Sequence, residues 1–526
     1  MSSAGDGLDG GALDESVADV FVVGAGAAGA VVAARASEDP NRTVVVVEAG
    51  PDHPLLAELP GDLVDGHDNS YTDHDWGLDF LPIADRGRQA FPRGRVTGGS
   101  TAVNTTIALR GIPEDYDGWA DRGCPDWSWE RVLPAFRRLE RDLDFGAAPH
   151  HGDAGPISIR RFPDDELVPT QAAFLEAARS LGHPECVDAN DPDDWGVSRL
   201  PMNKLGRVRI STAVGYLAPA RVRPNLRIVA DTLTRRVVVE GGRATGVEVE
   251  GPTGEVRVIR ARLVVLCCGA IHTPGVLVRS GIGRRSELDH LGIDPVAVLD
   301  GVGANLADHP ALAVVCEARE PAWCAPDLPL IQTITRYTSP GSDARLDVNI
   351  ELISRARLRR DGPPAFVIAP SLEWVEGRGE VRQTSADPRS MPAIEPDFGT
   401  CDVDVRRHVA AWKDALELAR RPPLADMIER VVFPDPSRVG DDDLTGLARR
   451  VTGSGYHPCG TARMGPADDP TTVVDQHGRC HAVDGLVVAD ASIMPTVPRA
   501  NINLSTIVIG ETIGEWLRTD PTRYGL

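Results

Sequence analysis

The 526-residue sequence contains no uninterrupted apolar run approaching the roughly 18 to 20 residues of a transmembrane helix, so no membrane insertion is expected. The start is equally bare: Met1 to Val17 is rich in Gly, Asp, Ser and Ala, without the basic and apolar segments of a signal peptide, and reads as a disordered tail (residues 1–17). Positive charge is in deficit, with 55 Lys and Arg against 77 Asp and Glu, a formal net charge of -22. That mean field repels nucleic acid and anionic membranes and serves solubility. No Cys-x-x-Cys pattern or histidine cluster is present, so no metal is expected. The nine cysteines are odd in number and scattered, and Cys267 and Cys268 lie inside an apolar run. This usage predicts small reduced core residues and a cytoplasmic protein. Internal repeats are also missing. What remains, 42% hydrophobic and 25% charged residues, is an ordinary globular composition, in a chain longer than one core usually supports.

The first chemical signal is Ala18-Asp-Val-Phe-Val-Val-Gly24-Ala-Gly26-Ala-Ala-Gly29, an apolar run, a glycine turn and an alanine-rich stretch to Ser37. A second apolar strand, Thr43-Val-Val-Val-Val-Glu48, follows. Strand, helix and strand with Gly-x-Gly-x-x-Gly at the first turn predict a dinucleotide site. Gly24 permits the turn, Gly26 admits the pyrophosphate to the backbone, and Gly29 packs helix on strand. Glu48 is placed to accept a hydrogen bond from the adenosine ribose.

Two further glycine segments fit a chain that closes over the same ligand. Gly94-Arg-Val-Thr-Gly98-Gly99-Ser100-Thr-Ala-Val-Asn104 offers backbone amides and hydroxyls to an anion or flat ring. Leu263-Val-Val-Leu-Cys-Cys-Gly269 reads as a buried strand leading to a short helix begun by Thr273-Pro274, with proline at the first helical position. His272 reads as a local packing or hydrogen-bonding residue. From about Ala311 to Pro370 the pattern becomes β-rich, as in Ile331-Gln-Thr-Ile-Thr-Arg-Tyr, and predicts an inserted antiparallel sheet able to roof a substrate cavity. Asp402 to Arg420 predicts a helix.

Near the C-terminus, His457 stands in Gly-Tyr-His-Pro-Cys-Gly-Thr and Asn501, 44 positions later, in Pro-Arg-Ala-Asn-Ile-Asn-Leu. Between them Val483-Asp-Gly-Leu-Val-Val-Ala-Asp490 reads as a short buried strand ending in a carboxylate. A helix-like run from Leu504 to Leu517 would aim its positive end at the site. His457 is thus a candidate base and Asn501 its partner.

These four motifs, in this order and spanning Asp19 to Leu517, resemble the glucose-methanol-choline oxidoreductases. The resemblance implies a mixed α/β fold: a Rossmann-like FAD-binding domain with an inserted antiparallel-sheet substrate domain. The expected division is 18–155, 210–310 and 451–526 for FAD, and 156–209 and 311–450 for substrate. It further implies that His457 takes the proton of an alcohol while Asn501 holds the substrate oxygen. FAD would be contacted by Gly24, Gly26, Ala27, Ala28, Gly29, Glu48, Gly99, Ser100, Asn104, Thr234, Asp490 and Ala491. Val103 stands where some members carry the histidine that binds FAD covalently, so non-covalent FAD is expected. Thr97 replaces a usual aliphatic residue. Gly455, two residues before the base, leans the expectation towards a dehydrogenase, with an oxidase using O2, or a flavin-bound lyase or photodecarboxylase on the same fold, as alternatives. The partners implied are a small-molecule alcohol and an electron acceptor, either O2, a quinone or another redox carrier. The alcohol's identity is open: a sugar, a choline-like cation, an aryl alcohol, a steroid or an alcohol on a peptide-derived cofactor.

Overall fold

The computed structural model describes residues 17–83, 87–356, 362–435 and 443–526. The expected tail, apart from Val17, lies outside the described residues, as do 357–361 and 436–442 of the expected substrate domain.

Two sheets organise the chain. The first has a parallel half in the order Leu226–Val229, Val44–Val47, Ala18–Val23, Val256–Leu266, with Leu486–Val488 on the far side of the last. Its valine runs are buried on both faces, the pattern expected of parallel strands covered by helices. The strand Val256–Leu266 is shared: its second half pairs in parallel with Ala18–Val23, and its first half continues an antiparallel meander with Arg243–Glu250 and Leu233–Glu240. The second sheet is antiparallel, in the order Ile428–Phe433, Val314–Ala318, Ala365–Leu372, Val348–Ala356, Ile331–Tyr337, Gly196–Arg199. Helices Pro169–Ser180 and Asp402–Leu418 pack on this sheet. Glu351, Ile353, Ala369 and Ser371, which alternate with buried neighbours along their strands, line a cavity. The mixed α/β architecture is the one expected.

Two helices position the functional segments. Gly29–Ala36 lies against the C-terminal helix Asn503–Thr519, which starts one residue before the expected run. Their close approach needs Gly510, where a Cβ would stand 2.8 Å from the Ala28 carbonyl oxygen. Buried Glu511 then ties the pair, accepting from Arg35 at 2.8 Å and from the Tyr216 hydroxyl at 2.6 Å. The helix expected from Thr273-Pro274 instead begins at Gly269 and runs to Arg279, with Pro274 inside it. Pro274 lacks the N–H that would bond the Ala270 carbonyl, and the Thr461 hydroxyl donates to that carbonyl instead. An outside donor thus offsets the loss that made the proline read as a helix start.

Candidate active site

A cavity of about 1330 Å³ runs from the ends of the parallel strands to the inner face of the antiparallel sheet. It exceeds the roughly 300 to 1,000 Å³ of ordinary ligand pockets, as a long cofactor beside a substrate requires.

At one end lie Gly24, Gly26, Ala27, Ala28, Glu48 and Thr234. Gly24 has φ +93°, and a Cβ there would meet the Cys267 carbonyl oxygen at 2.6 Å. Gly29 lines no part of the cavity; a Cβ on it would strike the Gly24 oxygen at 1.9 Å, so it fixes the turn itself. Gly26 is different: the nearest protein atom to its hypothetical Cβ is the Gly99 Cα at 3.8 Å. The space before Gly26 belongs to the cavity, as a bound pyrophosphate requires. Glu48 accepts from the amides of Ala25 and Gly50, both at 3.0 Å. Burial raises its carboxyl to about 7, against the pull of those amides. Thr234 Oγ1 is buried without a protein partner, as a hydroxyl awaiting a ligand would be.

The middle wall is built by Gly99, Ser100, Asn104, Asp490 and Ala491. Gly99 packs on Gly26, so the two glycine loops face each other across the cavity floor. Ser100 Oγ accepts from the Gly94 amide at 3.2 Å, and Asn104 Oδ1 from the Thr106 amide at 3.0 Å. Asp490 is engaged on both oxygens: Oδ2 by the Gly269 amide at 2.9 Å and the Thr273 hydroxyl at 2.6 Å, Oδ1 by the Ser492 amide at 2.8 Å. A carboxylate has lone pairs left for one more donor. Thr97 is buried with its hydroxyl on Asp52 at 2.8 Å, which accounts for a polar residue in that loop. His272 stacks on Trp76 at 4.3 Å, while its buried Nε2 has no partner on the cavity wall, so packing rather than hydrogen bonding holds it.

The far end carries the chemistry. Antiparallel bridges join Ala307 to Cys459, Pro310 to Ser454 and Ala311 to Gly453, setting the segment around His309 beside the one that holds His457. Asp308 clamps the turn, accepting from the His457 amide at 2.7 Å and from the Ser454 hydroxyl. Tyr456 takes φ +66° there and its carbonyl accepts from Arg93 at 2.9 Å. Asn501, two residues before the C-terminal helix, brings Nδ2 to 3.0 Å from His457 Nε2. His309 Nδ1 stands 2.9 Å from His457 Nδ1. Burial above all, with His309 and the Arg93 guanidinium nearby, pushes His457 well below the usual histidine range, so its ring is neutral at ordinary pH. With Asn501 donating to Nε2, the ring proton sits on Nδ1, and the Nε2 lone pair is held by the Asn501 amide until a hydroxyl from the cavity takes its place. His309 and Asp308 were not singled out in the sequence; the Asp308-His309-Pro310 run beside a β-rich segment was the available signal. The twelve expected cofactor residues and both expected catalytic residues line the cavity, except Gly29, which lies behind it.

Comparison with known proteins agrees with this layout. The sequence matches the family model of the GMC oxidoreductases over residues 18–311 and 375–510. It is 34% identical over 535 residues to the 5-(hydroxymethyl)furfural oxidase of Methylovorus sp., covering 96% of this chain and 100% of that protein. It is 33% identical over 541 residues to mitochondrial choline dehydrogenase of Mus musculus, covering 95% of this chain and 89% of that protein. The crystal structure of pyridoxine 4-oxidase from Mesorbium loti superposes with a TM-score of 0.88 at 28% identity, covering 95% of this chain and 99% of that one. With the glycine loops, the cavity and the histidine already in place, these matches establish that the chain belongs to the GMC oxidoreductase family, FAD-dependent enzymes acting on CH–OH groups.

Proposed function

We propose that the protein oxidises a small-molecule alcohol to an aldehyde or ketone, with His457 as base and Asn501 holding the substrate oxygen. The observation that carries this reading is the 3.0 Å pairing of His457 Nε2 with Asn501 Nδ2 on the cavity wall. An alcohol hydroxyl entering between them meets a lone pair that takes its proton and an amide N–H that steadies its oxygen. Bound FAD would supply the hydride acceptor for the carbon-bound hydrogen. The proteins this chain resembles are named for hydroxymethylfurfural, choline and pyridoxine, which supports an alcohol as substrate. The positive end of the helix Asn503–Thr519 favours negative charge beside Asn501. Asn501→Ala should slow anaerobic flavin reduction about 10- to 100-fold, the loss of one oriented hydrogen bond, with His457 intact; an unchanged rate in stopped flow would remove its role.

The cofactor contacts follow the cavity: Gly26 and Gly99 at the pyrophosphate, Glu48 and Thr234 at the adenosine end, Ser100, Asn104, Asp490 and Ala491 near the ribityl chain and ring. Non-covalent FAD is supported by Val103, which lines the cavity and offers no nucleophile. Gly26→Ala is expected to fold, because its Cβ has open space, yet to purify with about tenfold less flavin, because that space is the cofactor's. A full flavin complement with unchanged circular dichroism would contradict this.

The acceptor is proposed to be a quinone or another redox carrier rather than O2. Gly455 lines the cavity without a side chain. A Cβ there would press on the His309 carbonyl oxygen at 3.1 Å and His457 Nδ1 at 3.2 Å. Reduced enzyme should reoxidise in air-saturated buffer more slowly than it turns over with an artificial quinone; reoxidation by air at the turnover rate would make it an oxidase. No described helix is long and apolar enough to cross a membrane. All nine cysteines are free, which supports a reducing, cytoplasmic setting.

A further inference from the structure

His457 is badly placed to keep a proton. It is buried beside His309 and near Arg93, and charging it costs desolvation together with repulsion from the guanidinium. A base in such a place works better if the proton moves on, and the structure offers a next acceptor. His309, fully buried, brings Nδ1 to 2.9 Å from His457 Nδ1 and to 3.4 Å from Glu373 Oε2, a contact that becomes an ion pair when the His309 ring is protonated. Glu373 is 2% exposed; one of its oxygens accepts from the Ser371 hydroxyl at 2.6 Å, while Oε2 has no hydrogen-bond partner. An unsatisfied buried carboxylate oxygen is costly to keep, and it lies at the end of a line from the alcohol.

We propose that Glu373 is the final acceptor of the alcohol's hydroxyl proton, delivered through His457 and His309. The inference rests on the reading of His457 as the base. The alcohol O–H breaks as N–H forms at His457 Nε2. The Nδ1–H of His457 passes to His309 Nδ1, and that proton passes to Glu373 Oε2. The two electrons and the second hydrogen leave the alcohol carbon as hydride to bound FAD, so alcohol is oxidised and FAD reduced. The step ends with His457 neutral, its proton moved from Nδ1 to Nε2, and Glu373 neutral. His309 lies behind the cavity wall and Glu373 on it; toward the alcohol's proton both act through His457, as positioning residues.

The surrounding charges suit this role. Asp308 and Glu373 face His309, Arg93 faces His457, and Glu351 and Arg336 act on Glu373. Burial and the charge of Glu373 raise the Glu351 carboxyl to about 8, so Glu351 is already neutral at pH 7. Of these two carboxylates, Glu373 is the one in contact with His309.

The test is anaerobic reduction of the holoenzyme by a reducing alcohol, followed by stopped flow and by infrared difference spectroscopy. Glu373→Gln, which keeps shape and removes the acceptor, should retain FAD, hold KM within about twofold and slow reduction about 10- to 100-fold. In the wild type a protonated-carboxyl band should appear on reduction and be missing in Glu373→Gln. His309→Ala combined with Glu373→Gln should be no slower than the slower single variant, since both break one line. Wild-type rate in Glu373→Gln, a band that persists in it, or multiplying effects would overturn the proposal. If Glu373→Gln loses FAD, the wild-type spectrum decides, and no new carboxyl band there also overturns it. Where His457→Ala slows reduction and Glu373→Gln does not, the relay falls and the base stands; where neither slows it, the proposed function falls as well.

Discussion

Replacing His457 with alanine is expected to leave the protein folded and yellow while slowing anaerobic flavin reduction by an alcohol about 10²- to 10⁴-fold, the usual worth of a positioned general base. The flavin should stay because no proposed cofactor contact passes through the imidazole. The clamp on its backbone, Asp308 to the residue 457 amide, survives the substitution. The sign of the pH dependence follows from burial. Since His457 lies well below its ordinary range, its neutral, base-competent form persists as pH falls through 6.5, and the acid limb of the reduction rate should lie below that value. Stopped-flow traces from pH 5 to 9 check both. Unchanged reduction in His457→Ala would remove the base, and loss of flavin would show that the ring has a structural task.

The second large effect concerns stability. Glu140, Asp142 and His151 have the spacing of a metal site among the described residues, although the sequence suggested none. Their charges are already met: His151 Nδ1 lies 2.8 Å from Glu140 and 3.2 Å from Asp142, and its Nε2 2.7 Å from Asp188. Arg161 pairs with Asp142 at 2.7 Å and Asp188 at 2.6 Å, and Arg110 with Glu140 at 2.5 Å. Three carboxylates thus balance two guanidinium groups and one imidazolium. Burial alone would lower the His151 pKa, but Asp142, Asp188 and Glu140 overcome it and raise it to about 10. Asp142 and Asp188 are held below the usual carboxylate range, against burial, by His151 and Arg161. His151→Ala removes one partner of a buried network and should cost about 3 to 5 kcal/mol of stability. The raised histidine stabilises fully below its unfolded value of about 6.5 and loses that contribution as pH climbs through 10; the lowered carboxylates stabilise above about 4 and lose theirs in acid. Thermal melts should therefore fall faster from pH 8 to 10 in the wild type than in His151→Ala. Parallel curves would remove the imidazolium from the account.

This cluster also bears on the site. Asn190, beside Asp188, holds the backbone of Arg110 and Ala108 at 2.9 Å each, on the chain that leads from Asn104. Loss of the network is expected to loosen that wall of the cavity before it unfolds the parallel sheet.

Much of this was legible in the sequence because its geometry is local and obligatory. The glycine turn at Gly24 to Gly29 reads directly, since a Cβ at either end would strike backbone. The strands Ile331–Tyr337 and Val44–Val47 follow their apolar patterns to within a residue. His457 and Asn501 were legible as a pair only because the motifs around them repeat a known order. What the sequence hid is long-range register. His309 meets His457 across 148 positions through bridges that no local pattern announces, and Glu373 joins them from another strand end. Pro274 misled for a related reason, because its helix is completed by Thr461, 191 positions from the Ala270 carbonyl that it serves. The buried charges around His151 escaped because Glu140, Asp142, His151, Arg161 and Asp188 look like surface residues until the fold gathers them.

On the proposed function, this cavity joins FAD to an alcohol through His457. The most direct measurement mixes the yellow holoenzyme anaerobically with a panel of sugars, amino alcohols, aryl alcohols and sterols, and follows the oxidised flavin band and the carbonyl formed. Bleaching by at least one alcohol class is expected, with one carbonyl formed per flavin reduced. A flavin that stays oxidised against every alcohol, or a product formed without bleaching as a lyase would give, contradicts it.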